Sequence, residues 1–269
     1  MKIDIVEFKD QQFGKKLVDS FSNSGFAIIE GFPMINEDKL NKFYHRIEGL
    51  FIDLNSDRDL RNKLLFNKDS QKGYFPFKSE KAKNQSVFDL KEFYHYYYMD
   101  LDPTGEAIYD MYNNLMYLSD VIAQQIGSYI GTDLLDMIST DKTLFRVLHY
   151  PALESNDDGA VRSAAHEDIN LYTLLPAASE TGLQVLDREG KWLEVSTNPG
   201  QVIVNVGDMP QELTKGELRS TTHRVINGNL AKSRYSAPMF VHPKPETVLS
   251  DRYTAESYLE ERLKEIGLK

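Results

Sequence analysis

The chain has 269 residues, 41% of them hydrophobic, enough to bury one large core or two closely packed lobes. A formal net charge of −10 argues against nucleic acid or an anionic membrane as partner, and a cysteine count of 0 excludes disulfides and thiolate metal sites. No apolar run approaches the length of a membrane span, and Met1 to Glu7 alternates like a short strand rather than a signal peptide. A cytoplasmic monomer acting on a small molecule is the simplest expectation.

Residues 1–100 read as a mixed α/β region. Gly25-Phe26-Ala27-Ile28-Ile29 is an apolar run expected to form a buried strand. Asn36 to Phe51 has helical spacing, with Leu40, Phe43, Tyr44, Ile47 and Phe51 on one face and Asn36 as cap. Residues 66–88 are polar, contain Gly73 and Pro76, and are expected to be a loop. Tyr94-His95-Tyr96-Tyr97-Tyr98 puts five rings in a row, either an aromatic buried strand or a stacking surface for substrate. Within the segment 101–142, residues 104–130 predict one long helix, with Ile108, Met111, Tyr112, Leu115, Leu118, Ile122 and Ile126 forming a stripe that would back a sheet.

From residue 143 to 245 the pattern turns to strands. Leu144 to Tyr150, Leu183 to Leu186, Gln201 to Val206 and Tyr235 to Val241 are separated by turn residues, and Gly190 and Asn227-Gly228 signal hairpins. This rhythm fits an antiparallel sandwich or jelly roll. Residues 246–269 close the chain with an amphipathic helix over 254–266, carrying Leu259, Leu263 and Ile266 on one face with Gly267 beyond it. The fold class expected is therefore α+β, mainly β, as one compact unit.

His166-Glu167-Asp168 carries the chemistry. Residues two apart on a strand share a face, so His166 and Asp168 can converge on one ion while Glu167 points away. With His223 from a distant strand they make two imidazoles and one carboxylate, the facial triad of non-haem iron(II) oxygenases, which leaves coordination positions open. Arg234 and Ser236 are again two apart, a guanidinium fork beside a hydroxyl, suited to a carboxylate. His45, His95, His149 and His242 have no partner at ligand spacing and are expected to be structural. Arg146 and Arg162 are open candidates for recognising an acidic substrate.

The surroundings of these residues resemble the isopenicillin N synthase-like branch of the iron(II)/2-oxoglutarate-dependent dioxygenases. Gly182-Leu183-Gln184-Val185, Gly190-Lys191-Trp192, Pro199-Gly200, Val204-Asn205-Val206-Gly207-Asp208 and Ser220-Thr221-Thr222-His223-Arg224-Val225 fall in family order, after Tyr150-Pro151 and Thr173-Leu174-Leu175. The motifs are most specific over residues 145–242. A weaker echo covers Gly25 to Ile29, Gly73-Tyr74-Phe75-Pro76 and Asp89-Leu90-Lys91-Glu92.

The resemblance implies a double-stranded β-helix core with iron(II) held by His166, Asp168 and His223. It implies 2-oxoglutarate chelating the metal, its far carboxylate on Arg234 and Ser236, with Tyr150 a further contact. Leu148 stands where many members of the family have asparagine, which weakens the case for Tyr150. Dioxygen, as co-substrate, would oxidise a C–H bond with release of succinate and CO2. Asp168 favours hydroxylation, desaturation or cyclisation over halogenation, because related halogenases replace that carboxylate with a small residue. Relatives of the isopenicillin N synthase or aminocyclopropane carboxylate oxidase type keep the Arg-x-Ser pair without using 2-oxoglutarate, so that alternative stays open, as does a non-catalytic binding sandwich.

Overall fold

Strand β1 (Asp4–Glu7) leads into helix α1 (Phe13–Ser24), which ends because Gly25 adopts φ 73° and returns its N–H to Phe21. Strand β2 (Phe26–Glu30) follows, then α2 (Glu37–Ser56), capped by the Asn36 side chain accepting from the Lys39 N–H at 3.0 Å, with Glu37 and Asp38 in the favourable first turn. The helix runs five residues past the apolar stripe ending at Phe51, because Leu54 still packs inward. Short α3 (Arg58–Leu64) precedes strands β3 (Gly73–Phe75) and β4 (Glu92–Tyr97). The long helix α4 (Ala107–Ile130) and one turn, α5 (Leu134–Met137), complete the first half.

The second half supplies β5 (Leu144–Tyr150), β6 (Ser163–His166), β7 (Tyr172–Pro176), β8 (Leu183–Leu186), β9 (Trp192–Glu194) and β10 (Val202–Val206). After the short helix α6 (Asp208–Leu213) come β11 (His223–Val225), β12 (Arg234–Ser236), β13 (Met239–Val241) and α7 (Ala255–Glu265). This computed structural model describes residues 1–67, 70–80, 87–155 and 159–265. Ile266 and Gly267, expected at the end of the last helix, lie outside them.

Two sheets form a jelly-roll sandwich. The larger has nine strands, ordered β1-β2-β10-β7-β13-β5-β4-β3 with β12 also on β5; the smaller is β6-β11-β8-β9. The centre of the larger sheet is covered on both faces, so β2 and β10 read as continuous apolar runs, whereas β5 alternates. Ala27, Ile29, Val202 and Val204 face helices α1, α2 and α4, while Phe26, Ile28 and Ile203 meet Leu183, Val185 and Val225 of the smaller sheet. The N-terminal strands are thus part of the sandwich: β2 pairs with β10 in register from Val202 opposite Ile29 to Asn205 opposite Phe26.

Three expectations change in detail. The polar stretch 66–88 contains β3, whose Gly73 has φ 100° and packs against the Leu64 carbonyl where a Cβ would come within 2.5 Å. The strand expected over Tyr235 to Val241 is broken at Ala237-Pro238, since proline cannot donate to a ladder; its halves both pair with β5, and only β13 continues to β7. Asn227-Gly228 makes no hairpin: β11 pairs with β6 and β8 while β12 pairs with β5, so this connection crosses from one sheet to the other. Gly190 does close the β8–β9 hairpin, at φ 78°.

The aromatic run resolves by alternation along β4. Tyr94 and Tyr96 point into the core against the helices, and Phe93 and His95 face the opposite side. Tyr98 lies past the strand end, half-exposed. The run is chiefly a buried strand. Among the described residues no helix is long and apolar enough to cross a membrane.

Candidate metal centre

The smaller sheet brings two histidines together as direct cross-strand neighbours. His166, the last residue of β6, is the register partner of His223, the first of β11, and their rings lie 4.4 Å apart. Asp168 follows β6 by two residues. Its Oδ1 lies 3.8 Å from His166 Nε2 and 3.7 Å from His223 Nε2, and the three donor atoms fall within 4.8 Å of one another. Glu167 turns outward, exposed, and accepts a hydrogen bond from the Thr222 hydroxyl.

Each imidazole is oriented through its other nitrogen. His166 Nδ1 sits 2.7 Å from the Ala164 carbonyl and His223 Nδ1 3.1 Å from the Thr221 carbonyl, so Nδ1–H donates outward and the Nε2 lone pair faces the centre. Phe26 packs edge-on against His223 at 5.6 Å. Burial and the neighbouring His223 lower the pKa of His166, which favours the neutral, ligating form.

Two buried side chains of the larger sheet hold the carboxylate. Asp168 Oδ2 accepts from the Thr173 hydroxyl at 2.6 Å and from Asn205 Nδ2 at 2.8 Å, leaving Oδ1 to face the imidazoles. Thr173 on β7 and Asn205 on β10 are register partners, so one rung of the ladder supplies both donors. Burial pushes the Asp168 carboxyl up, but the two imidazoles and these two hydrogen bonds outweigh it and hold it below the usual carboxylate range. Thr173 and Asn205 stand in the motif stretches of the sequence, but their role needs the pairing of β7 with β10, which no local pattern announces.

Arg234, Ser236 and Tyr150 gather on the adjacent wall. Arg234 is the register partner of Tyr150 and Ser236 of Leu148, all four on the sandwich face and 5% exposed or less. The guanidinium carbon lies 5.1 Å from the Tyr150 ring centroid, and Arg234 Nε donates to the Glu180 carbonyl at 3.0 Å. Arg234 Nη1 is buried and finds no hydrogen-bond partner, and no carboxylate of the described residues pairs with this arginine. A buried cation without an anion is costly. The residues therefore fit a ligand that brings its own carboxylate. A pocket of about 70 Å³ joins Arg234, Ser236 and Tyr150 to His166, Asp168 and His223.

The other candidates have different work. Arg162 donates through Nη2 to the carbonyls of Lys232 at 2.5 Å and Asn229 at 3.3 Å, fastening the crossing loop. Arg146 lines the pocket but is engaged by Glu80 and by His95 Nε2 at 2.7 Å. Lys91, from the Asp89-Leu90-Lys91-Glu92 stretch, lines the same pocket as a buried partner of Glu80 and Asp89. His149 is tied to Glu92 at 2.7 Å behind the sheet, as its opposite parity to Tyr150 predicts. His45 lies exposed on α2, near Glu48, so it is a surface residue rather than a structural one.

Comparison with known proteins decides the family. The family model described as the 2OG-Fe(II) oxygenase superfamily matches residues 142–243. The crystal structure of a candidate oxygenase from Shewanella oneidensis superposes with a TM-score of 0.85 at 38% identity, covering 98% of both chains. A structure described as a 2OG-Fe(II) oxygenase family protein from Caulobacter crescentus gives 0.79 at 30% identity, again over 98% of both. The chain belongs to the 2OG-Fe(II) oxygenase superfamily. Iron(II), 2-oxoglutarate and dioxygen are the cofactor and co-substrates of that superfamily. Among named relatives, a 2-oxoglutarate-dependent dioxygenase of Didymella fabae is 34% identical over 51% of this chain. The chain spans less than half the length of the first curated relatives it matches, 44% and 30% for the first two.

Proposed function

We propose that this protein is an iron(II)- and 2-oxoglutarate-dependent oxygenase that oxidises a C–H bond of a small molecule by hydroxylation, desaturation or cyclisation. The observation that carries the reading is one pocket holding both a two-imidazole, one-carboxylate cluster and a buried arginine that no carboxylate of the described residues pairs with. Bound iron would supply oxygen activation coupled to decarboxylation of the 2-oxo acid to succinate.

The residues divide the task. His166, Asp168 and His223 would hold the iron, which would supply the activation of oxygen. Arg234 and Ser236 bind the far carboxylate of the co-substrate, with Tyr150 beneath the guanidinium as a packing and polar contact. Leu148, Leu175, Leu183, Val225 and Phe26 line the same pocket and keep it dry, strengthening the ionic contact. Asp168 occupies the position that halogenation would need vacant.

We further propose that the chain works as a single unit comprising regions 1–100, 101–142, 143–245 and 246–269, monomeric and cytoplasmic. The net charge of −10 supports a small-molecule substrate over nucleic acid or membrane.

The test is anaerobic addition of iron(II) and then 2-oxoglutarate, followed by admission of oxygen. A visible charge-transfer band is expected in the wild type and none in Asp168→Ala. Turnover should require 2-oxoglutarate and release succinate. Oxidation that proceeds fully without the oxoacid would transfer the protein to the 2-oxoglutarate-independent alternative. No iron uptake at all would leave only a binding sandwich.

A further inference from the structure

The wall made by β5 carries a second cationic group, at the end opposite Arg234. Arg146, Leu148 and Tyr150 alternate onto one face of β5 and all line the pocket of the metal centre. Arg234 is the partner of Tyr150 and Ser236 of Leu148, while the Arg146 N–H donates to the Pro238 carbonyl at 3.0 Å. About 13 Å of strand therefore separates Arg146 from the Tyr150–Arg234 rung. Lys91, just before β4, joins Arg146 there. Its ammonium and Arg146 Nη1 lie 2.7 Å and 3.2 Å from the same Glu80 Oε2, so one carboxylate oxygen bridges the two cations. Both flank the Phe93 ring, the guanidinium carbon at 4.3 Å and the ammonium at 5.9 Å from its centroid.

The cations face the pocket and their acids stand behind. Lys91 and Arg146 line it, whereas Glu80 and Asp89, which neutralise them, do not. Among the described residues, Glu80 and Asp89 engage two of the three ammonium donors, and Glu80 and His95 three of the five guanidinium donors. Burial lowers the Lys91 pKa, but the Glu80 and Asp89 carboxylates outweigh it and keep the ammonium charged. His95 is neutral: its Nε2 accepts from Arg146 Nε at 2.7 Å, and its Nδ1 donates to the Gln71 carbonyl at 2.7 Å. Asp89 Oδ1 accepts from the Ala164 N–H at 3.1 Å, two residues before His166, which ties the cluster to the metal-bearing strand. A buried ion cluster stabilises a fold no better than apolar packing would. Set on a pocket wall, with its cations fixed and donors to spare, it is prepared for an anion.

We propose that Lys91 and Arg146 form a carboxylate subsite for the substrate, and that the protein oxidises a small organic acid. A carboxylate offers one oxygen to the ammonium and one to the guanidinium. The length of the β5 wall keeps it clear of the 2-oxo acid at Arg234. Anchored there, the substrate presents a chosen C–H bond to the metal. Resting on the oxygenase reading above, the subsite adds to it the substrate class.

The full chain, loaded with manganese(II) as a redox-quiet metal and saturated with 2-oxoglutarate, is titrated calorimetrically with propanoate, hexanoate and 4-phenylbutanoate, each beside its primary amide. Wild type should bind at least one acid about tenfold or more tighter than its amide, the difference typical of a hydrogen bond to a charged group. Glu80→Gln/Arg146→Gln removes a cation together with its anion, keeping the net charge and leaving an amide pair. It should weaken that acid about tenfold or more and leave the amide and 2-oxoglutarate unchanged. Arg146→Lys keeps the charge without the fork and should weaken the acid about threefold, again sparing the amide; it decides the matter if the double variant melts too low to titrate. No preference for any acid in wild type, or variants that hold acid as tightly as wild type, would overturn the proposal. Equal weakening of acid and amide would overturn it too, as would a parallel loss of 2-oxoglutarate, since the cluster would then serve packing or the co-substrate. If wild type itself takes up no 2-oxoglutarate, the oxygenase reading fails first and the subsite falls with it.

Discussion

Removing the amide of Asn205 tests whether the metal centre is built from both sheets. Asp168 Oδ2 is held by Asn205 at 2.8 Å and Thr173 at 2.6 Å, with Asp168 6% exposed and both donors 3% exposed. Each is a charge-assisted hydrogen bond of about 1.5–3 kcal/mol in a site with little water to replace it. Asn205→Ala takes one away while Thr173 keeps the carboxylate near its place. Part of the loss falls on the metal-free fold, which keeps a less satisfied buried carboxylate. The rest falls on metal binding, because Oδ1 is no longer fixed toward the imidazoles. Outer donors of this kind typically cost about 10–100-fold in metal affinity, or about 1.4–2.8 kcal/mol. Anaerobic competition for iron(II) against a chelator of known affinity measures it, with a thermal scan confirming that the variant folds. Combining Asn205→Ala with Thr173→Val should exceed either change alone. If folded Asn205→Ala binds iron as tightly as wild type, Asp168 is not positioned for the metal by these bonds, and the two-sheet account of the centre is wrong.

Other consequences are as direct. Arg234→Ala should raise the 2-oxoglutarate concentration needed for half-development of the charge-transfer band by about 2–5 kcal/mol in equivalent free energy, and Arg234→Lys should recover only part, lacking the planar fork; an identical titration in Arg234→Ala would remove the residue from the site. Gly25→Ala puts a Cβ at φ 73° and 2.3 Å from the Arg219 carbonyl, so a loss on the order of 3 kcal/mol is expected in chemical denaturation, and an unchanged midpoint would contradict the close approach. Burial lowers the His242 pKa from 6.5 to about 4. The unfolded chain therefore takes up this proton first, and stability present above pH 6.5 is lost as pH falls toward 4. Between pH 7 and pH 5 this amounts to about 1–2 kcal/mol after allowance for partial exposure. Denaturation of the metal-free protein should show that slope, and His242→Asn should flatten it; equal slopes would assign acid sensitivity elsewhere.

Local pattern carried much of the architecture. The strands Leu144–Tyr150 and Leu183–Leu186 and the long helix have signals confined to a few neighbouring residues, and their boundaries agree with the structure to within a few positions. The closeness of His166 and Asp168 was expected from strand periodicity, but β6 ends at His166 and Asp168 lies two residues beyond it, its carboxylate turned toward the imidazoles by Thr173 and Asn205. What eluded the sequence depends on long-range pairing. Asn227-Gly228 has the chemistry of a tight hairpin, yet its flanking strands join different sheets. Thr173 and Asn205 matter only because β7 lies against β10.

The opposed imidazoles have a mechanical consequence. His166 and His223 occupy one rung between β6 and β11, while the carboxylate beside them is fastened by β7 and β10 of the other sheet. An ion held by all three would act as a rivet between the two sheets. A slip of β11 by a single residue would swing its imidazole to the far side and open the joint. Loading a metal should therefore slow amide exchange along β6 and β11 far more than along β1 or β9.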